Sequence, residues 1–172
     1  PLNEVCKNYH ITMIEDAAES LGSYYNNTHT GNYGLVSALS FNGNKTITTG
    51  GGGMIITNDK ATAEKAKHLT TTAKKAHAYK YEHDVIGYNY RLPNINAALG
   101  CAQMIQLESF LKAKKAVNLK YENFFAEFSM EMVKNINGSK TNHWLNAIIF
   151  NGVEERDAFL DFTNNQGIMT RP

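Results

Sequence analysis

The segment SFNGNKTITTGGGGMIITND (residues 40–59) combines a lysine, a run of four glycines and a short apolar run. The run VSALSF (36–41), which overlaps the start of this segment, predicts a strand, and residues 54–57 predict another. The Asn-Asp pair that follows suits the N-terminus of a helix, which we predict over 61–73. Short strands that alternate with helices indicate an α/β layered fold.

Acidic residues end the first predicted strand, upstream of this segment. The run ITMI at 11–14 predicts a short buried strand with Glu15 and Asp16 at its carboxyl end. Ligands of α/β sheets bind beyond the carboxyl ends of the strands, so Asp16 stands where a ligand is expected. Downstream, apolar residues spaced for one helical face predict a single long helix over 93–128, which starts at a proline.

A turn-rich stretch over 129–140 marks the predicted domain boundary. It separates a large domain, 1–128, from the start of a second domain, 129–172. We expect the second part to contain a strand over 143–150 and a helix over 154–165. The chain begins with a proline rather than a methionine, and we expect it to be an internal piece of a longer protein.

The composition argues against several functional classes. The 172 residues carry 17 Lys and Arg against 16 Asp and Glu, a formal net charge of +1, which does not indicate a nucleic-acid-binding surface. No apolar stretch approaches the ~20 residues of a membrane helix. The six histidines and two cysteines lack metal-ligand spacing, and two cysteines suit a reducing cytoplasm. We expect a cytoplasmic protein without a metal site, a nucleic-acid partner or a membrane contact.

Lys45 lies between a predicted strand and the four glycines. Glycine admits backbone dihedral angles that other residues avoid, so such a loop can place a lysine against a ligand. A phosphate-binding P-loop is excluded, because Asn44 and Leu39 occupy the two positions where that motif requires glycine. Two structural alternatives stay open: a solvated loop lysine for Lys45 and a helix N-cap for Asp16.

The segment GYNYRLPN (87–94) leads into the predicted long helix. It places Tyr88, Asn89 and Arg91 just before a helix N-terminus, where backbone N–H groups attract anions. An ordinary helix start with packed tyrosines is the alternative interpretation.

Three motifs, taken in order and spacing, resemble the DegT/DnrJ/EryC1/StrS family of nucleotide-sugar aminotransferases, which depend on pyridoxal 5′-phosphate (PLP). The motifs are IEDAAESLGS (14–23), SFNGNKTITTGGGGMIITND (40–59) and GYNYRLPNINAALGCAQ (87–103). The likeness covers nearly the whole chain. It implies part of the aspartate aminotransferase-like (fold type I) α/β fold, in which HWLNAIIF (143–150) resembles the start of the smaller C-terminal α+β domain.

The resemblance also implies roles for individual residues. Lys45 matches the lysine that carries PLP as a Schiff base, and Asp16 matches the carboxylate that pairs with the pyridinium nitrogen. Glu19 stands where many relatives carry glutamine near the 3-hydroxyl of the ring. Ser40 matches a hydroxyl that binds the cofactor phosphate. Asn89 matches an amide that reaches the phosphate of the partner subunit's PLP, which implies a homodimer with shared active sites.

The wording of the motifs is most similar to the branch of the family that acts on UDP-linked 4-keto-6-deoxy-N-acetylhexosamines. The implied reaction moves an amino group, from L-glutamate, to the C4 keto carbon of the sugar. Tyr88 and Arg91 are candidates for substrate or subunit contacts. The alternatives are an aminotransferase for a dTDP- or GDP-linked sugar, and a sensor homologue that keeps the PLP pocket without turnover.

Overall fold

The computed structural model describes residues 1–128 and 130–172, which contain five helices and eight short strands. The helices are α1 (Leu2–Asn8), α2 (Lys60–Thr70), α3 (Asn94–Ile105), α4 (Leu107–Ala126) and α5 (Val153–Asn165). The strands are β1 (Ile14–Asp16), β2 (Tyr24–Tyr25), β3 (Thr28–His29), β4 (Val36–Ser40), β5 (Gly53–Ile56), β6 (Glu131–Met132), β7 (Ser139–Lys140) and β8 (Ile148–Ile149). This mixture confirms the predicted α/β class.

The main sheet has the strand order β1-β4-β5. Strands β1 and β4 are parallel, with Asp16 opposite Ala38, whereas β5 runs antiparallel to β4. Parallel strands end at the same edge of a sheet, so the carboxyl ends of β1 and β4 lie side by side. The loops that follow these two ends carry the candidate site.

Below these loops lies a small apolar core of Ala17, Leu39, Phe41 and Ile47. Four partly buried residues pack against it, two of them from the start of α4: Leu21, Ile56, Leu107 and Phe110. Because this core contains residues from both loops and from the sheet, burying it fixes the loops relative to the strands.

The start of α2 confirms the predicted helix cap. Oδ1 of Asp59 accepts a hydrogen bond from the backbone N–H of Thr62 at 2.7 Å, which satisfies one of the unpaired N–H groups at the helix start. The side chain of Thr62, followed by this backbone N–H group, lowers the pKa of the Asp59 carboxyl.

Three predicted elements differ from the structure. The single long helix is wrong: at Gln106 φ is −97° and ψ is −2°, which separates α3 from α4. The buried first strand is also wrong, since β1 begins at Ile14 and this side chain is 69% exposed. The strand over 143–150 is reduced to β8, because the residues before it form side-chain contacts instead of a ladder.

The predicted boundary begins at Ser129, which lies outside the described residues. The division into two domains stays a prediction. Strand β7, on the second side of that boundary, pairs with β2 on the first side, where Tyr24 lies opposite Lys140. Within the described ranges, no helix is both long enough and apolar enough to cross a membrane.

Candidate active site

The carboxyl ends of β1 and β4 carry an acid and a hydroxyl. Asp16 is exposed, and its Oδ1 accepts a hydrogen bond from the backbone N–H of Ala18 at 3.1 Å. Oγ of Ser40 accepts a hydrogen bond from the backbone N–H of Asn42 at 3.3 Å. Its own hydrogen is therefore free to donate to an anion. The helix N-cap alternative for Asp16 is wrong, because residues 17–22 form turns and contain no helix. The Ala18 contact engages only one of the two carboxylate oxygens of Asp16.

Lys45 is largely enclosed in the loop that follows β4. Its side chain is 14% exposed, and Nζ lies 3.1 Å from Oε1 of Glu19. The same atom lies 4.3 Å from the ring centroid of Trp144, a cation–π distance. Lys45 is thus not the solvated loop lysine of the alternative interpretation. The structure brings it together with Glu19, one of the other predicted site residues.

Asn142 and Trp144 belong to this site and were missed from the sequence. Asn142 is 5% exposed, and its Nδ2 donates hydrogen bonds to the carbonyl oxygens of Glu19 at 2.7 Å and Leu21 at 3.0 Å. Nε1 of Trp144 donates to the carbonyl oxygen of Asn44 at 2.6 Å. The segment 142–144 therefore connects the loop after β1 with the loop that carries Lys45. The motif HWLNAIIF (143–150) includes Trp144 but not Asn142, and it indicated only the start of a domain.

His143, between these two residues, has a φ of +49°. This left-handed conformation is uncommon outside glycine. It lets Asn142 contact the loop after β1 while Trp144 contacts Asn44. Burial is the main cause of a lowered pKa for His143; Lys115 lowers it further, and Glu122 acts in the opposite direction.

Glu15 was also missed, because Asp16 attracted the functional interpretation. Its carboxylate accepts hydrogen bonds from the backbone N–H groups of Gly31 at 2.8 Å, Tyr33 at 2.7 Å and Gly34 at 2.6 Å. A carboxylate that receives three N–H groups is a strong structural anchor. Within the acidic pair, Glu15 holds the loop before β4, and Asp16 is left for the site.

His29 supports the loop after β1 from the other side. Its Nε2 accepts a hydrogen bond from the backbone N–H of Gly22 at 3.3 Å, which requires the neutral ring. Burial lowers the pKa of His29, and this effect outweighs the opposing influence of Glu15.

Asn89, Arg91 and Tyr88 form a separate cluster. Nη1 of Arg91 donates to Oδ1 of Asn89 at 2.9 Å, and its Nη2 donates to the carbonyl oxygen of Thr71 at 3.1 Å. Tyr88 stacks on Tyr90 with the ring centroids 5.2 Å apart. None of the described contacts joins this cluster to Lys45 of the same chain.

The loop that carries this cluster is fastened at its start. Nε2 of His68 lies 2.7 Å from Oδ1 of Asp84, and Nδ1 of His83 lies 2.6 Å from the carbonyl oxygen of Thr72. The hydrogen bond from His68 is the main cause of a lowered pKa for Asp84. These contacts hold the loop against the end of α2.

A cavity of about 920 Å³ lies between β5, α2 and residues 90–96. Tyr90 and Arg91 line it, whereas Lys45 and Asp16 do not. Of the predicted residues, only Arg91 therefore lines this cavity. Over the described ranges, no cluster of three or more His, Cys, Asp or Glu side chains is arranged to hold a metal ion.

Comparison with known proteins identifies the family of this chain. The profile of the DegT/DnrJ/EryC1/StrS aminotransferase family matches residues 1–172. The chain belongs to this family.

Relatives include the GDP-perosamine synthase of Vibrio cholerae, 36% identical over 173 residues, which cover 99% of this chain and 47% of that protein. A UDP-4-amino-4,6-dideoxy-N-acetyl-beta-L-altrosamine transaminase of Helicobacter pylori is 32% identical over 127 residues, or 73% of this chain and 34% of that protein. The matched region thus spans about half the length of the first relative and about a third of the second.

A solved structure supports the fold assignment. A putative sugar aminotransferase of Streptococcus pneumoniae in its PLP form has a TM-score of 0.84 at 21% identity, with 95% of this chain and 44% of that chain covered. At this identity the likeness shows the fold. It agrees with the predicted fold type I.

Aminotransferases of this family depend on PLP, and the chemistry at the ends of β1 and β4 is suited to that cofactor. Lys45 offers a primary amine for an aldehyde, Asp16 a carboxylate for a pyridinium nitrogen, and Ser40 a hydroxyl hydrogen for a phosphate. A Cβ atom built on Gly43, in the same loop, would meet no atom within 4 Å. The Lys45 loop therefore borders open space.

Proposed function

We propose that the complete protein is a PLP-dependent aminotransferase that moves an amino group from L-glutamate to the C4 keto carbon of a nucleotide-linked keto-deoxy sugar. The observation that carries this proposal is the enclosed amine of Lys45, which lies in the loop after β4 and contacts Glu19 of the loop after β1. Membership of the aminotransferase family supports the reaction class. The predicted cytoplasmic location belongs to the same proposal.

Bound PLP supplies an aldehyde and an electron-withdrawing ring, which together accept and release the amino group. In our proposal Nζ of Lys45 would hold the aldehyde group of the cofactor and would carry a proton to and from the reacting carbon. The carboxylate of Asp16 would stabilise the proton on the ring nitrogen. Ser40 would donate its hydroxyl hydrogen to the phosphate, and Glu19 would orient Lys45.

The proposal includes a homodimer in which Asn89 reaches the cofactor phosphate of the partner subunit. Its support is the separate position of the Asn89 cluster and the exposure of its aromatic residues, with Tyr88 52% and Tyr90 72% exposed. Tyr88 and Arg91 would contribute subunit or substrate contacts in the same region. Light scattering should show a dimer for the wild type. If the Asn89→Ala variant dissociates into monomers or loses PLP, this result would support the arrangement.

The covalent step is tested by incubating the full-length protein with PLP, reducing with borohydride and locating the label by mass spectrometry. We expect the label on Lys45, and its loss in Lys45→Ala. Lys74 is a matched control, because its Nζ also lies over an aromatic ring, 3.6 Å from the centroid of Tyr81. Lys74→Ala should retain the label, and a label that persists in Lys45→Ala would refute the assignment.

The substrate is tested by offering GDP- and UDP-linked 4-keto-6-deoxy sugars, with L-glutamate as the donor, and by measuring the amino-sugar product. Both nucleotides are needed, because the names of the relatives include both. A sensor homologue would bind PLP at Lys45 and leave glutamate unconverted. Formation of 2-oxoglutarate and the pyridoxamine form of the cofactor separates these two functions.

A further inference from the structure

Two groups bracket the amine of Lys45 from different parts of the chain. Oε1 of Glu19 lies 3.1 Å from Nζ, and the ring centroid of Trp144 lies 4.3 Å from it. A carboxylate and an aromatic face both attract an ammonium group more strongly than a neutral amine. Glu19 is the charged group that the described contacts bring against Lys45.

Trp144 is fixed by two hydrogen bonds. Its Nε1 donates to the carbonyl oxygen of Asn44 at 2.6 Å, one residue before Lys45, and its backbone N–H donates to Oδ1 of Asn142 at 3.0 Å. Asn142 is itself buried and bonded to the loop that carries Glu19. The indole ring therefore cannot leave the amine without breaking its hydrogen bond to Asn44, while Asn142 fixes the backbone from which the ring projects.

We propose that Trp144 is a positioning residue for Lys45, which holds the protonated amine beside Glu19 at the site where PLP binds. The inference rests on the proposed function for the identity of the aldehyde. Attachment joins Nζ to the aldehyde carbon with the loss of one water molecule, and the ammonium group must first release a proton. Trp144 and Glu19 hold the group in place.

The test compares the rate of PLP attachment as a function of pH in the full-length wild type, Trp144→Leu and Trp144→Phe. A cation–π contact favours an ammonium group over a neutral amine by roughly two- to fivefold at an exposed site, and by more at an enclosed site such as that of Lys45. In Trp144→Leu we expect the midpoint of the pH profile to move to lower pH by at least about 0.3 pH units, which corresponds to a twofold change. Trp144→Phe keeps an aromatic face but lacks the Nε1 donor to Asn44, so it should move the midpoint less than Trp144→Leu does. A merely structural role would lower the amount of folded protein or the plateau rate without moving the midpoint.

Glu19→Gln provides an independent change of the same kind, because it removes the negative charge while keeping the size of the side chain. It should also move the midpoint to lower pH. A wild-type midpoint in folded Trp144→Leu overturns the inference. A wild type without any label on Lys45 instead refutes the proposed function, so the two failures are distinguishable.

A second measurement avoids altering the indole ring and decides the question if Trp144→Leu does not fold. Trp144 is the one tryptophan of this chain, and an ammonium group in contact with indole changes its fluorescence. Lys45→Met should change the emission of the protein without PLP, and the same substitution in a Trp144→Phe background should not. Emission unaffected by Lys45→Met means that the two groups are not in contact, which overturns the inference.

Discussion

Replacing Asn142 with alanine tests whether the segment 142–144 is the anchor of the candidate site. The substitution removes the donors to the carbonyl oxygens of Glu19 at 2.7 Å and Leu21 at 3.0 Å, and the acceptor for the N–H of Trp144 at 3.0 Å. A buried polar group left without a partner costs about 1–3 kcal/mol. The three groups are only partly buried, so about 1 kcal/mol for each, the lower end of this range, gives an expected loss of about 3 kcal/mol.

The free energy of unfolding of the full-length protein, measured in denaturant, gives this loss directly. Asn137→Ala is the matched control, because Asn137 is an exposed asparagine five residues earlier. Surface substitutions of this kind change stability by about 0.5 kcal/mol or less. The emission of Trp144 should also shift to longer wavelength in Asn142→Ala, since the ring loses its anchor and becomes more exposed to water.

A loss below about 1 kcal/mol, the value of one ordinary hydrogen bond, would refute the reasoning. In that case the position of Trp144 would be set by its contact with Asn44 alone. A large loss without any change in emission would also contradict it, because the buried amide would then stabilise the protein without holding the ring.

Three further outcomes are expected. Gly53→Ala should lose roughly 1–3 kcal/mol of stability, since the added Cβ overlaps a carbonyl oxygen of the adjacent strand, whereas Gly51→Ala has space around its Cβ. Glu15→Gln should lower the denaturation midpoint, with a cost of about 1–3 kcal/mol, because the new amide faces a backbone N–H group. Because the pKa of His29 is lowered in the folded protein, the unfolded chain binds a proton at this residue at a higher pH than the folded chain does. The contribution of His29 to the free energy of unfolding is therefore present above about pH 6.5 and is lost as the pH falls. His29→Gln should reduce the dependence of the melting temperature on pH, and the substitution of the exposed His10 by Gln should reduce it less.

The opposite results would be equally informative. Equal melting temperatures for the two glycine variants would mean that the strand ladder shifts to accept the methyl group. An unchanged Glu15→Gln protein would show that the loop before β4 is held by other contacts. A pH slope that survives His29→Gln would assign the acid sensitivity to His143, whose pKa is also lowered by burial.

Part of the site was predictable because it depends on local order along the chain. Asp16 ends β1 and Lys45 lies in the loop after β4, and the carboxyl ends of parallel strands meet at one edge of a sheet. The α/β pattern therefore predicts that the two residues lie in the same region. The helix cap at Asp59 was predictable for the same reason, because capping involves residues three apart.

The contacts of Asn142 and Trp144 were not predictable in this way. They join residues about one hundred positions apart, and neither an amide nor an indole has a spacing rule that reveals such a partner. The break at Gln106 escaped for a different reason: one residue outside helical geometry leaves the apolar periodicity of the two flanking helices nearly unchanged. Residue propensity and apolar periodicity therefore predicted where the loops lie along the chain. The side chains that contact those loops are determined by long-range tertiary contacts and were not predictable.

The left-handed backbone of His143 restricts which sequences this site tolerates. Glycine, asparagine or aspartate can replace His143 at little steric cost, whereas valine or isoleucine would disfavour the conformation. Inserting or deleting a single residue here would turn the amide and the indole towards the wrong loops at the same time. Variation at this position is thus limited by backbone shape, although the imidazole contacts neither Lys45 nor Glu19 among the described hydrogen bonds and ion pairs.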